Sequence, residues 1–372
     1  MSEPYYGDGT RCVRAGRPAP EPGQPLSPGP VFASAYHLGG SDTYGRASNP
    51  TWRLLEAAIG ELDGGECVVL PSGMGAIAAV LRVSLRAGDT VVVPADGYYL
   101  ARQFIATELA PLGLDVRSVP TAGPWRPETL AGARLVLIET PSNPGMDVCD
   151  IAAIAELAHA AGALLVVDNT TATPLGQRPL ALGADVTLAS DTKAVSGHSD
   201  AVLGHVSTVD VELADRLRAA RSLGGQTPGP FETWLTHRGL GTLDLRLARQ
   251  AENAAALVAA LRGHPLVTGL RWPGSPEDRD HPLAARQMRR FGGVFSFELP
   301  SADAVARFLA ASALLTPATS FGGTHSTVDR RAQWGDPVPA GLVRFSCGIE
   351  DADDLVTDVL ASLDRVHSVG LI

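Results

Sequence analysis

The chain has 372 residues, of which 45% are hydrophobic and 19% charged, and its 40 acidic and 30 basic side chains give a formal net charge of -10. This length allows roughly two domains with full-sized cores, and the negative charge provides no basic field to attract nucleic acid. No apolar stretch reaches the length of about 18 residues that a membrane span needs, and residues 1–30 lack the pattern of a secretory signal. We therefore expect a cytoplasmic protein without nucleic-acid or membrane partners.

Residues 1–50 are expected to form an extended N-terminal arm. Prolines recur there at every second or third position from 18 to 30, too closely for a helix. Residues 51–235 then alternate short apolar runs with helical patterns, which is typical of a mostly parallel sheet covered by helices on both faces. The predicted strands are residues 67–70, 90–94, 116–119, 135–138, 164–167 and 186–189, and the predicted helices are residues 53–62, 75–86, 100–112 and 151–161.

The last part, residues 236–372, predicts a smaller C-terminal α+β domain. Its predicted helices are residues 245–261, 302–311 and 351–363, and its predicted strands are residues 293–299 and 342–346. The expected fold class is therefore α/β, with an arm (1–50), a large domain (51–235) and a C-terminal domain (236–372). The four cysteines form no C-x-x-C pair, so we expect reduced core thiols rather than a disulfide or zinc framework.

The basic residues comprise 29 arginines and a single lysine, Lys193. A guanidinium stays protonated, whereas an amine can lose its proton near neutral pH and attack a carbonyl group. A lone lysine in such a chain is either a chance surface residue or a residue that arginine cannot replace. Its surroundings in the sequence distinguish the two.

Polar residues follow the predicted strands at their carboxyl ends, where ligands bind in open α/β sheets. They are Gly73 and Met74 in a Gly-rich turn that opens a helix, Asn143, Asp168, and Ser190 and Thr192 on either side of Lys193. Taken singly, each has a plainer interpretation as a turn or capping residue. Together, at successive strand ends, they point to one ligand site.

Pyridoxal 5'-phosphate (PLP) is a single ligand that accounts for the whole set. Lys193 would form a Schiff base with the aldehyde and needs a lowered pKa to do so. Asp168 would pair with the protonated ring nitrogen and keep the ring an electron sink. The Gly-rich turn and the hydroxyls beside Lys193 suit the phosphate.

Motifs that match one known family run along nearly the whole chain. They are YGRASNPT at 44–51, SGM at 72–74, ETPSNP at 139–144, VDNT at 167–170, SDTK at 190–193 with GHSD at 197–200, RGLGTL at 238–243, SFGG at 320–323 and RFSCGIE at 344–350. In this order they make the chain resemble the cystathionine/methionine-metabolism family of PLP-dependent enzymes. The resemblance implies the PLP-dependent transferase fold type I and a homo-oligomer, expected as a tetramer of tight dimers with shared active sites.

The resemblance also implies roles for individual residues. Phosphate binding falls to the Gly73 and Met74 amides, Ser190 and Thr192, with Tyr44 and Arg46 reaching the phosphate from the neighbouring subunit. Tyr98 would stack on the ring and act in proton transfer, Asn143 would lie near the ring hydroxyl and the substrate carboxylate, and Ser320 would help to place Lys193. Arg344 would bind the substrate α-carboxylate, a role suited to the guanidinium fork.

The activity that the resemblance implies is a PLP-dependent carbon-sulfur lyase of the cystathionine γ-lyase type. Such an enzyme eliminates the thiol from L-cystathionine or a related sulfur amino acid and releases a 2-oxo acid and ammonia. The alternatives are a transferase of the cystathionine γ-synthase or O-acylhomoserine sulfhydrylase type, a methionine γ-lyase, and a lyase of secondary metabolism. A non-enzymatic binding module is a more distant alternative, since the expected catalytic positions are intact.

Two departures from the family pattern affect the expected substrate. Tyr98 is followed by Tyr99-Leu100-Ala101 where the family usually has smaller residues, which predicts a bulkier wall facing the cofactor. His325 stands where γ-lyases often carry glutamate, either at the site for a distal amino group or in solvent. The cysteine associated with methionine γ-lyases is absent, which disfavours that activity.

Overall fold

Two β-sheets organise the chain in the computed structural model, which describes residues 6–368. Within this range the first sheet has seven strands, β1 (Glu66–Leu70), β2 (Thr90–Pro94), β3 (Asp115–Val119), β4 (Ala133–Glu139), β5 (Leu164–Asp168), β6 (Val186–Ala189) and β7 (Gly204–Thr208), in the order β1-β7-β6-β5-β4-β2-β3. The strands from β6 through β3 are parallel, and β7 is antiparallel to both of its neighbours. The prediction of a mostly parallel sheet is confirmed.

The helices pack on both sheets and join their strands. They are α1 (Asp8–Arg14), α2 (Pro50–Asp63), α3 (Gly73–Ser84), α4 (Tyr99–Phe104), α5 (Pro127–Leu130), α6 (Ile151–Ala160), α7 (Thr173–Gly176), α8 (Val211–Leu223), α9 (Pro230–Leu240), α10 (Leu243–Leu261), α11 (His281–Gln287), α12 (Ala302–Ala311) and α13 (Ala352–Ser368). No helix within residues 6–368 has the length and apolar character required to span a membrane.

The strand that the sequence did not reveal, β7, lies between β1 and β6. Its five residues, GHVST, are all buried but mostly polar or glycine, so no apolar run marks them as a strand. Their burial is compensated by neighbours, since His205 and Ser207 both hydrogen-bond to the Asp63 carboxylate. Buried polar residues with partners are stable in a core, but their partners are not visible in a local sequence pattern.

The N-terminal arm is not extended throughout, contrary to the prediction for residues 1–50, because α1 forms within it. The prolines that argued against a helix begin only at Pro18, beyond the end of α1. The helix is attached to α2 by Arg11, whose Nε donates to a carboxylate oxygen of Glu61 at 3.1 Å. Residues 1–5 of the predicted arm and 369–372 of the predicted C-terminal domain lie outside the described residues, and the domain boundaries stay predictions.

The predicted helix over residues 100–112 is interrupted. After α4 the chain forms a π-helical turn at Ile105–Leu109 and a 3-10 turn at Ala110–Leu112. Pro111 in the second turn has no backbone N–H to continue an α-helix. The π-helical turn lies just beyond Tyr98 and Tyr99, and such turns often occur near functional sites.

The second sheet forms the centre of the C-terminal part. Within residues 6–368 it has five strands, β8 (Thr268–Arg271), β9 (Val294–Glu298), β10 (Thr316–Pro317), β11 (Thr327–Arg330) and β12 (Leu342–Ser346), in the order β10-β11-β12-β9-β8. The predicted strands β9 and β12 are present, whereas the shorter β8, β10 and β11 were not predicted. Cys12, Cys67, Cys149 and Cys347 are all buried and free, as expected for core thiols.

A cluster of stacked aromatic side chains fills the core beneath this sheet. The rings of Phe295 and Phe345 stack with centroids 4.8 Å apart, and Phe297 meets Phe308 edge to face at 6.3 Å. All four side chains are fully buried. Because β12 also carries Arg344, this core holds the strand that delivers Arg344 to the first sheet.

Phe345→Ala is therefore expected to lower the free energy of unfolding by about 3–5 kcal/mol, because it leaves a cavity in a close-packed core. Phe345→Leu, which leaves a smaller cavity, is expected to cost less than Phe345→Ala. Urea unfolding of the two variants measures both values. Equal midpoints for the alanine variant and the unsubstituted protein would contradict this description of the core.

Candidate active site

A cavity of about 380 Å³ opens at the carboxyl ends of β4, β5 and β6. The start of α3 forms one side of it, and residues of the second sheet close the other. The predicted site residues that line it are Gly73, Met74, Tyr98, Asn143, Asp168, Ser190, Thr192, Lys193, Ser320 and Arg344. The structure thus brings together residues from distant parts of the chain, of which Gly73 and Arg344 are 271 positions apart.

Tyr44 and Arg46, the two remaining predicted residues, are exposed and lie outside this cavity in the single chain. The Arg46 guanidinium lies over the Tyr44 ring, 5.1 Å from its centroid. An antiparallel bridge between Ala35 and Tyr44 shapes the loop that presents them. Their predicted role concerns a neighbouring subunit and stays a prediction.

The amine of Lys193 lies in the turn that follows β6. Burial lowers its pKa to about 8, the charge of Arg344 acts in the same direction, and Asp168 opposes both. The Lys193 Nζ and the Arg344 guanidinium lie over the same Phe321 ring, 5.7 and 5.2 Å from its centroid. A lysine in this environment has a much larger neutral fraction at pH 7–8 than a surface lysine, as a nucleophile requires.

Asp168 ends β5 and is held by Thr170, whose N–H and hydroxyl both donate to its Oδ1. Burial raises the pKa of Asp168, while the hydrogen bonds from Thr170 and the charge of Lys193 act in the opposite direction. The Ser190 N–H donates to the Thr170 hydroxyl at 2.9 Å, which joins the ends of β5 and β6. A carboxylate fixed in this way is suited to pair with a cationic ring nitrogen.

The start of α3 forms the opposite end of the cavity. Ser72 caps the helix by accepting from the Gly75 N–H at 3.0 Å, and the first N–H groups of a helix have no intrahelical acceptor. Gly73 is required here, because a Cβ would lie 2.6 Å from that of Ser190. Close approach of backbone amides and a hydroxyl at a helix N-terminus is the arrangement that binds phosphate.

The Thr192 hydroxyl lines the same end but already has backbone partners. It accepts from the Leu203 N–H at 3.0 Å and lies 3.2 Å from the Leu203 carbonyl. These bonds fix the turn around Lys193. The donor set as a whole fits PLP, with phosphate donors at one end, a carboxylate for the ring nitrogen at the other, and an amine for the aldehyde.

Arg344 lines the cavity on the side of the second sheet. Its Nη1 donates to the Asn143 Oδ1 at 3.0 Å, and its Nη2 donates to the Ser320 carbonyl at 2.6 Å. Ser320 has a positive φ of 74°, a strained conformation that persists in proteins mainly at functional sites. Burial and the charge of Arg331 lower the pKa of Arg344 to about 10, so it remains protonated at neutral pH.

Glu139 also lines the cavity, although the sequence interpretation selected only Asn143 from the ETPSNP motif. Its carboxylate accepts the Tyr98 N–H at 2.7 Å and the Asn143 N–H at 2.9 Å. Burial and the charge of Asp168 raise the pKa of Glu139 to about 8. Its position as the last residue of β4 was the signal that would have identified it.

The two departures from the family pattern have different outcomes. Tyr99 lines the cavity as expected for a bulkier wall, and its ring meets that of Tyr98 edge to face at 5.3 Å. Burial raises the pKa of Tyr98, which favours the protonated phenol. His325 is exposed and lies outside the lining of the cavity in the single chain, in agreement with the solvent interpretation.

A buried charged triad lies behind the turn at 190–193. The His205 Nδ1 contacts Asp191 Oδ1 at 2.7 Å, and its Nε2 contacts Asp63 Oδ2 at 3.1 Å. Burial alone would lower the pKa of His205, but the two carboxylates raise it to about 10. Since carboxylates only accept, both ring nitrogens donate and His205 is an imidazolium that ties α2, β7 and the turn at 190–193 together.

Comparison with known sequences gives the same assignment as the geometry. The model of the Cys/Met metabolism PLP-dependent enzymes matches residues 34–364. The chain belongs to this family. It is therefore an enzyme with PLP as its cofactor, and the predicted resemblance is confirmed.

Relatives within the Cys/Met metabolism family include both lyases and synthases. A Streptomyces coelicolor protein provisionally named a cystathionine gamma-lyase is 52% identical over 369 residues, which cover 96% of this chain and 94% of the relative. The cystathionine gamma-synthase of Mycobacterium tuberculosis is 38% identical, with 96% of this chain and 97% of the relative covered. The crystal structure of cystathionine gamma synthase from Xanthomonas oryzae pv. oryzae in complex with cystathionine has a TM-score of 0.93 and 37% identity, and covers 98% of this chain and 100% of that chain.

These comparisons confirm the PLP-dependent transferase fold type I and, through the lyase relatives, the class of PLP-dependent carbon-sulfur lyases. Lyases and synthases of this family align with the chain over similar lengths. Overall similarity therefore does not select one reaction, and the choice between elimination and replacement depends on the site.

Because Lys193 is the single lysine, the pKa of its amine is directly measurable. In cofactor-free protein dimethylated with ¹³C-formaldehyde, one lysine signal is expected to titrate near pH 8, because burial and Arg344 disfavour the charged amine. The neutral, reactive fraction is then large above pH 8 and is lost as the pH falls below it. NMR of the methyl signals checks this value, and the N-terminal amine gives a separate signal.

Asp168→Asn serves as the matched variant for this measurement. It removes the carboxylate that raises the pKa of Lys193, so the lysine signal is expected to titrate at a lower pH than in the unsubstituted protein. A titration near the ordinary lysine value of about 10.4 in both proteins would show that the amine is solvated.

Proposed function

We propose that the protein is a carbon-sulfur lyase of the cystathionine γ-lyase type. With one molecule of water it would cleave L-cystathionine into cysteine, 2-oxobutyrate and ammonia. The observation that supports this proposal most directly is that the only lysine lines the same buried cavity as Arg344, with both cations over the Phe321 ring. The lyase relative at 52% identity agrees with it.

Residues at two ends of the cavity would hold the cofactor. The Gly73 and Met74 amides and the Ser190 hydroxyl would bind its phosphate, and Asp168 would bind its ring nitrogen. Thr192 would join the phosphate site by turning its hydroxyl proton away from the Leu203 carbonyl. PLP, when bound, supplies an electron sink that stabilises negative charge at the substrate carbons. In the proposed oligomer, a tetramer of tight dimers, Tyr44 and Arg46 would complete the phosphate site of a neighbouring copy, in keeping with their exposure.

The α-carboxylate of the substrate would bind to Arg344. This guanidinium is buried, and its Nε has no hydrogen-bond partner among residues 6–368. A buried donor without a partner is costly unless a ligand satisfies it. Asn143 and Ser320 hold the other two nitrogens, so the orientation of the group is fixed before substrate binds.

Lys193 would move protons between the α and β carbons of the substrate. A pKa near 8 allows the amine to accept and return a proton at neutral pH without a large energetic penalty for either form. The Tyr98 phenol, which burial keeps protonated, would give its proton to the departing thiolate. Its backbone is held against Glu139, so the ring stays beside the cavity.

A transferase of the cystathionine γ-synthase type is the second candidate, because synthases align with the chain over nearly its full length. The same residues would bind the cofactor and the α-carboxylate. The reaction would start from an O-acylhomoserine and would release its acyl group as a carboxylic acid. A thiol would then add to the γ carbon, so that an amino acid and not a 2-oxo acid is the product.

The products formed from L-cystathionine distinguish these activities. Cofactor-loaded protein is expected to release 2-oxobutyrate and cysteine, identified by mass spectrometry. Pyruvate with homocysteine would instead indicate β-elimination. The absence of both, together with turnover of an O-acylhomoserine and a thiol, would contradict the lyase proposal and support the transferase.

Lys193→Ala is expected to abolish turnover, by more than about 1000-fold, because no other residue of the chain supplies a primary side-chain amine. Lys193→Arg is the matched control that keeps a cation but not a nucleophile, and it should be equally inactive. Assays of 2-oxo acid release, with absorbance spectra of the bound cofactor, measure both effects. Residual turnover by either variant would refute the role of the amine.

A further inference from the structure

We propose that Arg331 is a second carboxylate-binding residue of the active site and recognises a carboxylate at the distal end of the substrate. This inference deepens the proposed function and rests on it, since cystathionine carries a carboxylate at each end. Arg331 was not among the predicted site residues, and nothing in the family motifs includes it.

Arg331 follows β11 and begins the 3-10 turn Arg331–Trp334. It is 3% exposed, yet it lines the same cavity as Lys193 and Arg344. Tyr99 and Trp334 also line this part of the cavity, and the Arg331 guanidinium lies 5.9 Å from the centroid of the Tyr99 ring. A buried guanidinium at a ligand cavity is placed to bind a planar anion.

The hydrogen bonds of Arg331 leave a part of its guanidinium available. Nε and Nη2 donate to Asp336 Oδ2 at 2.9 and 2.7 Å, and Nη1 donates to Asp329 Oδ2 at 2.7 Å. Among the described residues these bonds use three of the five N–H groups of an arginine. One N–H on each Nη nitrogen remains to donate to a further acceptor, and a carboxylate is the acceptor that a guanidinium binds best.

One carboxylate fixes the spacing of the two arginines. Asp329 Oδ2 accepts from Arg331 and also from Arg344 Nη2, at 3.2 Å. Its Oδ1 accepts from Gln333 Nε2 at 3.1 Å and from Trp334 Nε1 at 2.8 Å. Asp329 is therefore a positioning residue that holds both guanidinium groups and the turn between them in one arrangement.

The charges of this network leave room for a further anion. Arg102 contacts Asp336 at 3.4 Å, so three guanidinium groups face two carboxylates. An excess of one positive charge remains in a largely buried setting. The unpaired Nε of Arg344 and the remaining N–H groups of Arg331 are therefore placed to receive two separate carboxylates, the α-carboxylate at Arg344 and a second one at Arg331.

The substrates that satisfy both arginines share one chemical feature, a carboxylate several bonds beyond the γ carbon. L-Cystathionine has it, and so does O-succinyl-L-homoserine. S-Ethyl-L-homocysteine and O-acetyl-L-homoserine carry the same α-amino acid part without the distal carboxylate. L-Cystathionine and S-ethyl-L-homocysteine form one pair of test compounds for a lyase, and O-succinyl- and O-acetyl-L-homoserine form the other for a transferase. Either pair tests whether Arg331 binds the distal carboxylate, whichever of the two reactions the protein catalyses.

The experiment compares kcat/KM for L-cystathionine and S-ethyl-L-homocysteine in the unsubstituted protein and in Arg331→Met. The variant is expected to lose about 10- to 100-fold more on cystathionine than on the S-ethyl compound, mainly through a higher KM, since it removes a charged hydrogen-bonding group. Arg330→Met is the matched control. It makes the same change one residue earlier, where the guanidinium donates to the Ala340 carbonyl outside this cavity, and should leave both values unchanged.

A second variant separates the loss of substrate binding from a loss of stability. Arg331→Met leaves Asp336 buried without its main partner, so Arg331→Met with Asp336→Asn removes both charges of that pair. The double variant is expected to show the same selective loss on cystathionine. Equal losses on both substrates in the double variant, or loss of all activity in it, would show that Arg331 acts only in the scaffold and would overturn the inference.

The failure of the proposed function has a different signature. If the unsubstituted protein does not cleave cystathionine but uses O-acylhomoserines, the lyase proposal fails, and the inference is then tested with the O-succinyl and O-acetyl compounds. A preference for the succinyl compound that Arg331→Met reduces about 10- to 100-fold supports the inference. The absence of any preference for a distal carboxylate in the unsubstituted protein contradicts it.

Discussion

The burial of a single amine is the constraint on which the rest of the site depends. Lys193 can titrate near pH 8 only because the surrounding protein excludes water and Arg344 repels its proton, while Asp168 limits the shift. Arg344 is delivered by β12 of the second sheet and Asp168 by β5 of the first. Neither sheet alone sets the pKa of the lysine, so the lowered value requires both to be in place.

The position of the site was predictable from the sequence because it follows from sheet geometry. Asn143, Asp168 and Ser190 come after apolar runs, and the carboxyl ends of parallel strands meet at one edge. Lys193 was identifiable because arginine is used at every other basic position of the chain. The apolar strands of the first sheet were equally visible, since burial on both faces leaves an uninterrupted apolar run.

Other features depend on contacts between distant segments and left no local signal. Nothing in the local sequence distinguishes Arg331 from the other arginines, because its position at the cavity depends on ion pairs with Asp329 and Asp336. Glu139 follows a predicted strand, so its place was visible, but its raised pKa comes from burial and the nearby Asp168, which only the fold brings together. The polar strand β7 and the helix α1 were missed for the same reason, because their stability comes from partners such as Asp63 and Glu61.

The triad of His205, Asp63 and Asp191 restricts how this protein can change over evolution. A histidine cation that is shared by two buried carboxylates is tolerated only while all three members are present. Replacing one member leaves an uncompensated charge in the core, whereas replacing all three with apolar residues removes the problem. Positions 63, 191 and 205 are therefore expected to vary together among relatives, although they lie on three different segments of the chain.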